Sequence, residues 1–323
     1  MRMESVSEQG VGKRRRRSFL SRHPRLKRVV YSGYGLLFVP LIAITFPLYL
    51  VPRRVVYGIA RAIGVWVVAP LVAEKVLRNV RYVYGERMTA RRVKALGRKV
   101  SINVVWSAVD CYYLWVWWWR WRAERVVTGA EGLEEVARGL RGGKGLFMVT
   151  GHYHCFEIMP VYVAQVFGLQ HGGVVARKFP SAILNWLNRR ARLLHGIPTF
   201  YDQVREVMRE LRENGVIGFL PDLHARKRLG VATTFYGKPT LTLDVHVRIA
   251  GQVGCPIVPA FMMRRKRRPW EYWLQVYEAV WVPRKPDEEQ IREEVQRIND
   301  IFEKHIRRYP SGWVWFHNKW GLW

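Results

Sequence analysis

The chain is poor in cysteine and in acidic residues, and it lacks several motifs that would fix its chemistry directly. Its 323 residues hold three cysteines, Cys111, Cys155 and Cys255. At that spacing they exclude a disulfide framework and a zinc ribbon, and they point to a reducing compartment. No G-x-S-x-G is present, which excludes a serine nucleophile on a strand–helix elbow. "GLRGGKGL" is not a phosphate loop, because it precedes an apolar run instead of following one and Lys144 lacks a Ser/Thr partner. Internal repeats and low-complexity linkers are absent as well.

Acidic residues number 25 against 54 Lys and Arg, a net charge of +29. The first 28 residues carry ten basic and two acidic side chains, a net +8, so +21 remains on the rest of the chain. Such a surface selects polyanions: nucleic acid, anionic lipid headgroups or an acidic carrier protein. Hydrophobic residues make up 49% of the chain, which excludes a disordered polycation and allows a sizeable core.

Charge is missing altogether between Arg28 and Arg53, over the 24 residues 29–52. About 20 apolar residues span a bilayer as a helix, so this stretch reads as a membrane anchor; Pro40 and Pro47 would kink it, so a bent or re-entrant anchor competes with a straight span. It lies too late for a secretory signal and no small-residue cleavage site follows. The basic arm before it, 1–28, is placed to meet phospholipid headgroups. Residues 53–125 read as a helical membrane-interface region, apolar from 55 to 73 apart from Arg61. Within it, "CYYLWVWWWRWR" places seven aromatics in the ten residues from Tyr112 to Trp121. A core helix could not find partners for so many indole N–H groups, so the run reads as a wall facing lipid or acyl chains. A nucleobase-stacking platform is the alternative. Basic residues flank the anchor on both sides, which leaves its orientation open.

From about residue 126 the pattern becomes α/β. Strands are predicted at 145–150, 172–177, 216–222, 231–236, 256–263 and 272–280. Helices are predicted near 155–167, 181–194, 202–214, 241–253 and 287–308. That alternation predicts a mainly parallel mixed sheet flanked by helices over 126–323, with the site beyond the C-terminal ends of the strands.

"VTGHYHCFEIMP", residues 149–160, stands at such an end. Three chemistries compete for it. His152 and His154, with Asp222 and His224 of "PDLH", could hold zinc or manganese for a hydrolase. Cys155 could be a thiol nucleophile if a base activates it. Alternatively, His152 in the turn and Glu157 in the first helical turn could form a metal-free dyad. On a regular helix five residues would separate them by about 140°, so His152 must lie in the loop for the two to converge. The carboxylate would fix the imidazole tautomer and leave the other nitrogen basic toward an alcohol.

H-x4-[DE] after a strand resembles the signature of the lysophospholipid-acyltransferase superfamily. The branch that fits is the lipid A biosynthesis lauroyl/myristoyl (late) acyltransferases. "VPRRVVYGIARAIG" and "VLRNVRYVYG" resemble the segment after that branch's anchor, and "VTGAEGLEEVARGLRGGKGLFMVTGHYHCFE" resembles the approach to its catalytic motif. "VVARKFPSAILNWLNRRARLLHGIP", "GVIGFLPDLHARKRLGVATTFYGKPTLT" and the closing "YPSGWVWFHNKW" are similar to its later blocks.

The resemblance implies a glycerolipid acyltransferase-like fold. It also implies transfer of a fatty acyl group from acyl-carrier protein or acyl-CoA to a hydroxyl of a lipid with an anionic headgroup, a lipid A precursor or related glycolipid. The expected place is the cytoplasmic face of the inner membrane, with no metal, no cofactor and no nucleic acid. His152 would be the base and Glu157 its partner. Arg177 would bind an acceptor phosphate or sugar, with Asp222, Arg226 and Arg228 completing the substrate site. His317 and Lys319 are expected to be structural or headgroup contacts, and "RRKRR" at 264–268 a surface hairpin tip. The chain departs from the branch at His154 and Cys155, where small residues are usual. A tethered nucleic-acid binder remains the reading from a different class.

Overall fold

The computed structural model describes Ile44, residues 50–116 and residues 122–323. The basic arm, most of the 29–52 anchor and Trp117–Trp121 of the aromatic run lie outside the described residues.

Helix α1 (Arg53–Ile63), a π segment (Gly64–Val68) and α2 (Ala69–Tyr84) run on without a break. With the 3-10 turn that follows, Arg53–Arg87 is the one helix among the described residues long and apolar enough to cross a membrane, by length and composition. Val56, Tyr57, Ala60, Val76 and Val80 are buried, and α3 (Ala90–Val116) packs against the helix. A Cβ on Gly64 would lie 2.7 Å from Ile102 Cα, so glycine permits the close crossing. On the other side Val55, Ile59, Ile63, Trp66, Val67 and Leu71 are exposed. Their spacing of three and four residues makes one continuous apolar stripe. Tyr113 and Leu114, expected on a lipid-facing wall, are instead buried in the core.

After a short helix, α4 (Ala123–Val126), the α/β body begins. Its strands are β1 (Val127–Glu131), β2 (Leu146–Val149), β3 (Gly172–Val175), β4 (Thr199–Phe200), β5 (Val216–Phe219), β6 (Gly230–Phe235), β7 (Lys238–Leu243), β8 (Ile257–Arg264) and β9 (Tyr272–Val276). The intervening helices are α5 (Leu133–Arg141), α6 (Ile158–Phe167), α7 (Ala182–Leu193), α8 (Val204–Arg212) and α9 (Val245–Val253), and α10 (Glu288–Arg308) follows β9. Seven strands form one sheet in the order β1-β9-β8-β2-β5-β3-β4. Every neighbouring pair is parallel except the β8–β9 hairpin. The expected mainly parallel mixed sheet is therefore present.

β6 and β7 form a separate antiparallel hairpin. Its two-residue turn places Tyr236 and Gly237 at φ 58 and 67, the type I′ geometry that suits strand twist. The first three residues of the helix expected at 241–253 belong to β7, and α9 starts only at Val245.

The sheet divides the core in two. Phe147 and Val149 of β2, with Ile257, Phe261 and Met263 of β8, face one cluster, which takes in α8, α9, α10 and the tryptophans Trp313, Trp315 and Trp320. Leu146 and Met148, with Val258, Ala260 and Met262, face the other, with Tyr113, Leu114 and α6. This is the period of two expected of strands covered on both faces. It explains why β2 and β8 read as unbroken apolar runs.

Candidate active site

β2, β3 and β5 lie side by side and parallel, so the segments leaving their C-terminal ends meet along one edge. The ladder continues one residue beyond β2, where Thr150 N–H donates to Phe219 O at 3.0 Å. The chain then turns sharply through Gly151 and His152, and Glu157 is the N-cap of α6.

Asp222, from the segment after β5, organises the first half of this turn. It is fully buried. Its Oδ2 accepts the His152 backbone N–H at 2.7 Å and the Trp313 Nε1–H at 3.0 Å. Its Oδ1 lies 2.8 Å from His152 Nδ1. A carboxylate can only accept, so Nδ1 carries the proton and the lone pair resides on Nε2. Nε2 makes no hydrogen bond among the described residues, and 26% of the His152 side chain is exposed. Burial disfavours the charged imidazole, but Asp222 outweighs it and the His152 pKa is raised. Burial would likewise raise Asp222. His152 and the hydrogen bonds win, holding the carboxylate well below its usual range.

Glu157 does not take the place expected of it beside His152. Arg192 of α7 holds it in a two-pronged ion pair, with Nε 2.8 Å from Oε2 and Nη2 on Oε1. Both residues are buried. Burial alone would lower the Arg192 pKa, but Glu157 raises it, and the Glu157 charge also adds to the field on His152. Asp222, expected to bind substrate, is withdrawn behind the imidazole instead. Arg192 was missed in the sequence, although it shares the buried face of α7 with Asn188 and Ala191, an unusual place for an arginine.

The competing chemistries lose their geometry. The His152 ring turns to Asp222, whereas His154 Nδ1 lies 3.3 Å from Met262 O and 3.4 Å from the Arg264 amide. His154 adopts φ 41, and its ring meets that of Tyr153 edge to face, with centroids 4.6 Å apart. Burial and the Arg264 charge push its pKa well down. No group of three or more ligating side chains gathers among the described residues. Cys155 is fully buried and its thiol pKa is pushed well up, the opposite of an activated nucleophile.

The closing segment roofs the turn. His154 N–H donates to Gly312 O at 3.0 Å, and Tyr153 bridges to Trp313. The His317 ring centroid lies 5.1 Å from that of His152, so this residue sits at the site and not merely at a headgroup surface. Burial and the neighbouring His152 lower its pKa to about 4, leaving it neutral. Asn79 of α2 pins this segment by donating to Trp315 O at 2.6 Å and His317 O at 2.7 Å. Lys319 is fully buried with Nζ on Thr242 Oγ1 at 3.2 Å, and burial lowers its pKa to about 8.

Arg177 is exposed two residues past β3, at the same sheet edge as His152. Arg226 and Arg228 are exposed between Asp222 and β6. Arg264 is not at a hairpin tip: it is buried, with Nη2 2.8 Å from Asp110 Oδ2. Only the rest of that basic run is exposed.

Residues 23–321 match the family model for bacterial lipid A biosynthesis acyltransferases. The chain belongs to that family. It is an acyltransferase acting on lipids. Among solved structures it is similar to the 1-acyl-sn-glycerophosphate (LPA) acyltransferase PlsC from Thermotoga maritima. The likeness is 16% identity over 75% of this chain and 97% of the other, with a TM-score of 0.34. Comparison with curated proteins returns no match. The family assignment rests on nearly the whole chain, including the described turn, the Asp222 segment and the closing roof.

Proposed function

We propose that this lipid A acyltransferase-family enzyme moves a fatty acyl group from acyl-carrier protein or acyl-CoA to a hydroxyl of a lipid A precursor or related glycolipid. His152 is the general base. The observation that supports this reading is the Nδ1–Asp222 pair, which leaves Nε2 lone-paired and open at the strand ends. The acceptor hydroxyl gives its proton to Nε2 as its oxygen attacks the thioester carbonyl. The tetrahedral adduct then expels the thiolate, which recovers the proton from the imidazolium. Asp222 fixes the tautomer and offsets the positive charge that forms. Glu157 adds a second negative charge and, through Arg192, holds the far end of the turn.

Arg177, Arg226 and Arg228 are exposed guanidinium groups suited to phosphate on the acceptor or the carrier. The apolar stripe of Arg53–Arg87 would rest the enzyme on the cytoplasmic face of the inner membrane. It also favours a lipid partner over nucleic acid, which has no use for such a stripe.

The test is lipid mass spectrometry on membranes carrying wild-type or His152→Ala protein, supplied with both donors. A lipid heavier by one acyl group should form in wild type, at a rate about 10²–10⁴-fold above that of the variant. An equal rate in folded His152→Ala would overturn the role of the imidazole.

A further inference from the structure

Two of the three cysteines meet beside the catalytic turn. Cys155 lies between His152 and Glu157, and Cys111 lies near the end of α3, 44 positions earlier. Their Sγ atoms are 3.8 Å apart, van der Waals contact between thiols and about 1.8 Å beyond a disulfide bond. Cys155 is buried, whereas Cys111 is partly open to solvent. Next to Cys111, Asp110 anchors its helix in the core by an ion pair to Arg264 and by accepting from Tyr57 and Tyr272. One thiol therefore rides on a fixed helix and the other on the turn that carries the proposed base.

From this we infer that Cys111 and Cys155 form a redox-sensitive pair whose oxidation to a disulfide displaces the catalytic turn and switches the enzyme down. The oxidant is a hydroperoxide. Its oxygen is transferred to the Cys111 sulfur with loss of water or alcohol, giving a sulfenic acid. The Cys155 sulfur then displaces the sulfenic hydroxyl, which takes up the Cys155 thiol proton and leaves as water, so two thiols and one peroxide give one disulfide. Such reversible pairs are the usual form of disulfide in a reducing compartment.

Closing the gap draws Cys155 toward α3 and pulls His152 and Glu157 with it. A displacement near 1 Å at a reacting group costs on the order of 100-fold in rate. Burial keeps the Cys155 thiol protonated, so attack starts at Cys111, the sulfur a small peroxide can reach. Cys255 is buried elsewhere, in the other core cluster, and serves as an internal control.

The experiment treats the full-length membrane protein with hydrogen peroxide and reads two signals. Non-reducing peptide mass spectrometry should find Cys111 joined to Cys155, 2 Da lighter than the two free peptides in sum. Acyl transfer should fall at least tenfold and return with dithiothreitol, while Cys111→Ser protein stays active through the same treatment. If Cys111→Ser misfolds, Cys111→Ala serves the same purpose. Absence of the joined peptide at saturating peroxide would overturn the pair, as would equal inactivation of the Cys111 variants. The peptide signal needs no turnover, so it separates this inference from the proposed function on which the activity arm rests.

Discussion

The two ends of the turn from His152 to Glu157 each carry a buried carboxylate paired with a nitrogen base, and the pairs differ in kind. At one end Asp222 faces an imidazole, and at the other Glu157 faces a guanidinium. An imidazole titrates near neutrality, so its carboxylate partner tunes a base. A guanidinium never gives up its proton, so the pair with Glu157 is a clamp. On the proposed mechanism the same kind of carboxylate serves the chemistry at one end and the frame at the other, according to the cation it meets.

Asp222→Asn should have the largest effect. Its amide would either donate toward Nδ1 or reverse the tautomer, and turnover should fall by about 10²–10⁴-fold in initial-rate assays. A drop under tenfold would mean that the clamp end, not the Asp222 end, sets the base.

Arg192→Met should act on stability. It leaves Glu157 buried without a partner, which costs about 3–5 kcal/mol and would show in denaturant titration. Adding Glu157→Leu should recover much of that loss. If the double variant is stable but as inactive as Asp222→Asn, Glu157 also acts in the chemistry and the contrast between the two ends fails.

The pH dependence sharpens the contrast. If His152 is the base as proposed, activity needs its neutral form, so kcat/KM should rise with pH through a midpoint above 6.5. With Asp222→Asn the residual activity should have its midpoint shifted to lower pH. For stability the signs are opposite. The raised pKa of His152 stabilises the fold below about 6.5, and that contribution fades as pH climbs through the folded value. The depressed pKa of Asp222 stabilises it above about 3.8, and that contribution is lost on acidification. Denaturant midpoints measured across both windows would check these signs.

Gly312→Ala should be the mildest. An added Cβ would fall 2.2 Å from Tyr153 Cζ, and such overpacking costs about 1–3 kcal/mol, visible as a lowered thermal midpoint. Because Gly312 O also takes the His154 N–H, a small fall in activity should accompany it.

The sequence carried the sheet plainly where strands are buried on both faces. β2, β5 and β8 are short apolar runs between turn signals, and their lengths decided them. β4 has only two residues, and β7 opens with Lys238-Pro239, so neither offered a periodic signal. His152 stood out as a candidate because it opens H-x4-E directly after a strand. Its partner did not. Asp222 lies 70 positions away and is brought close only by the pairing of β2 with β5. Local spacing favoured Glu157, yet the start of α6 turns that side chain to α7, where Arg192 receives it.

Asn79 has a practical consequence. It belongs to the apolar Arg53–Arg87 helix, yet its amide donates to the roof that holds His317 beside His152. The Arg53–Arg87 helix is thus joined structurally to the segment over His152 and is more than a generic tether. A chimera that swaps this helix for a foreign hydrophobic segment would remove the Asn79 amide from Trp315 O and leave His317 O to the Lys319 N–H alone. Engineering of acceptor choice in this enzyme has to keep residues 53–87 and the closing segment together as one cassette.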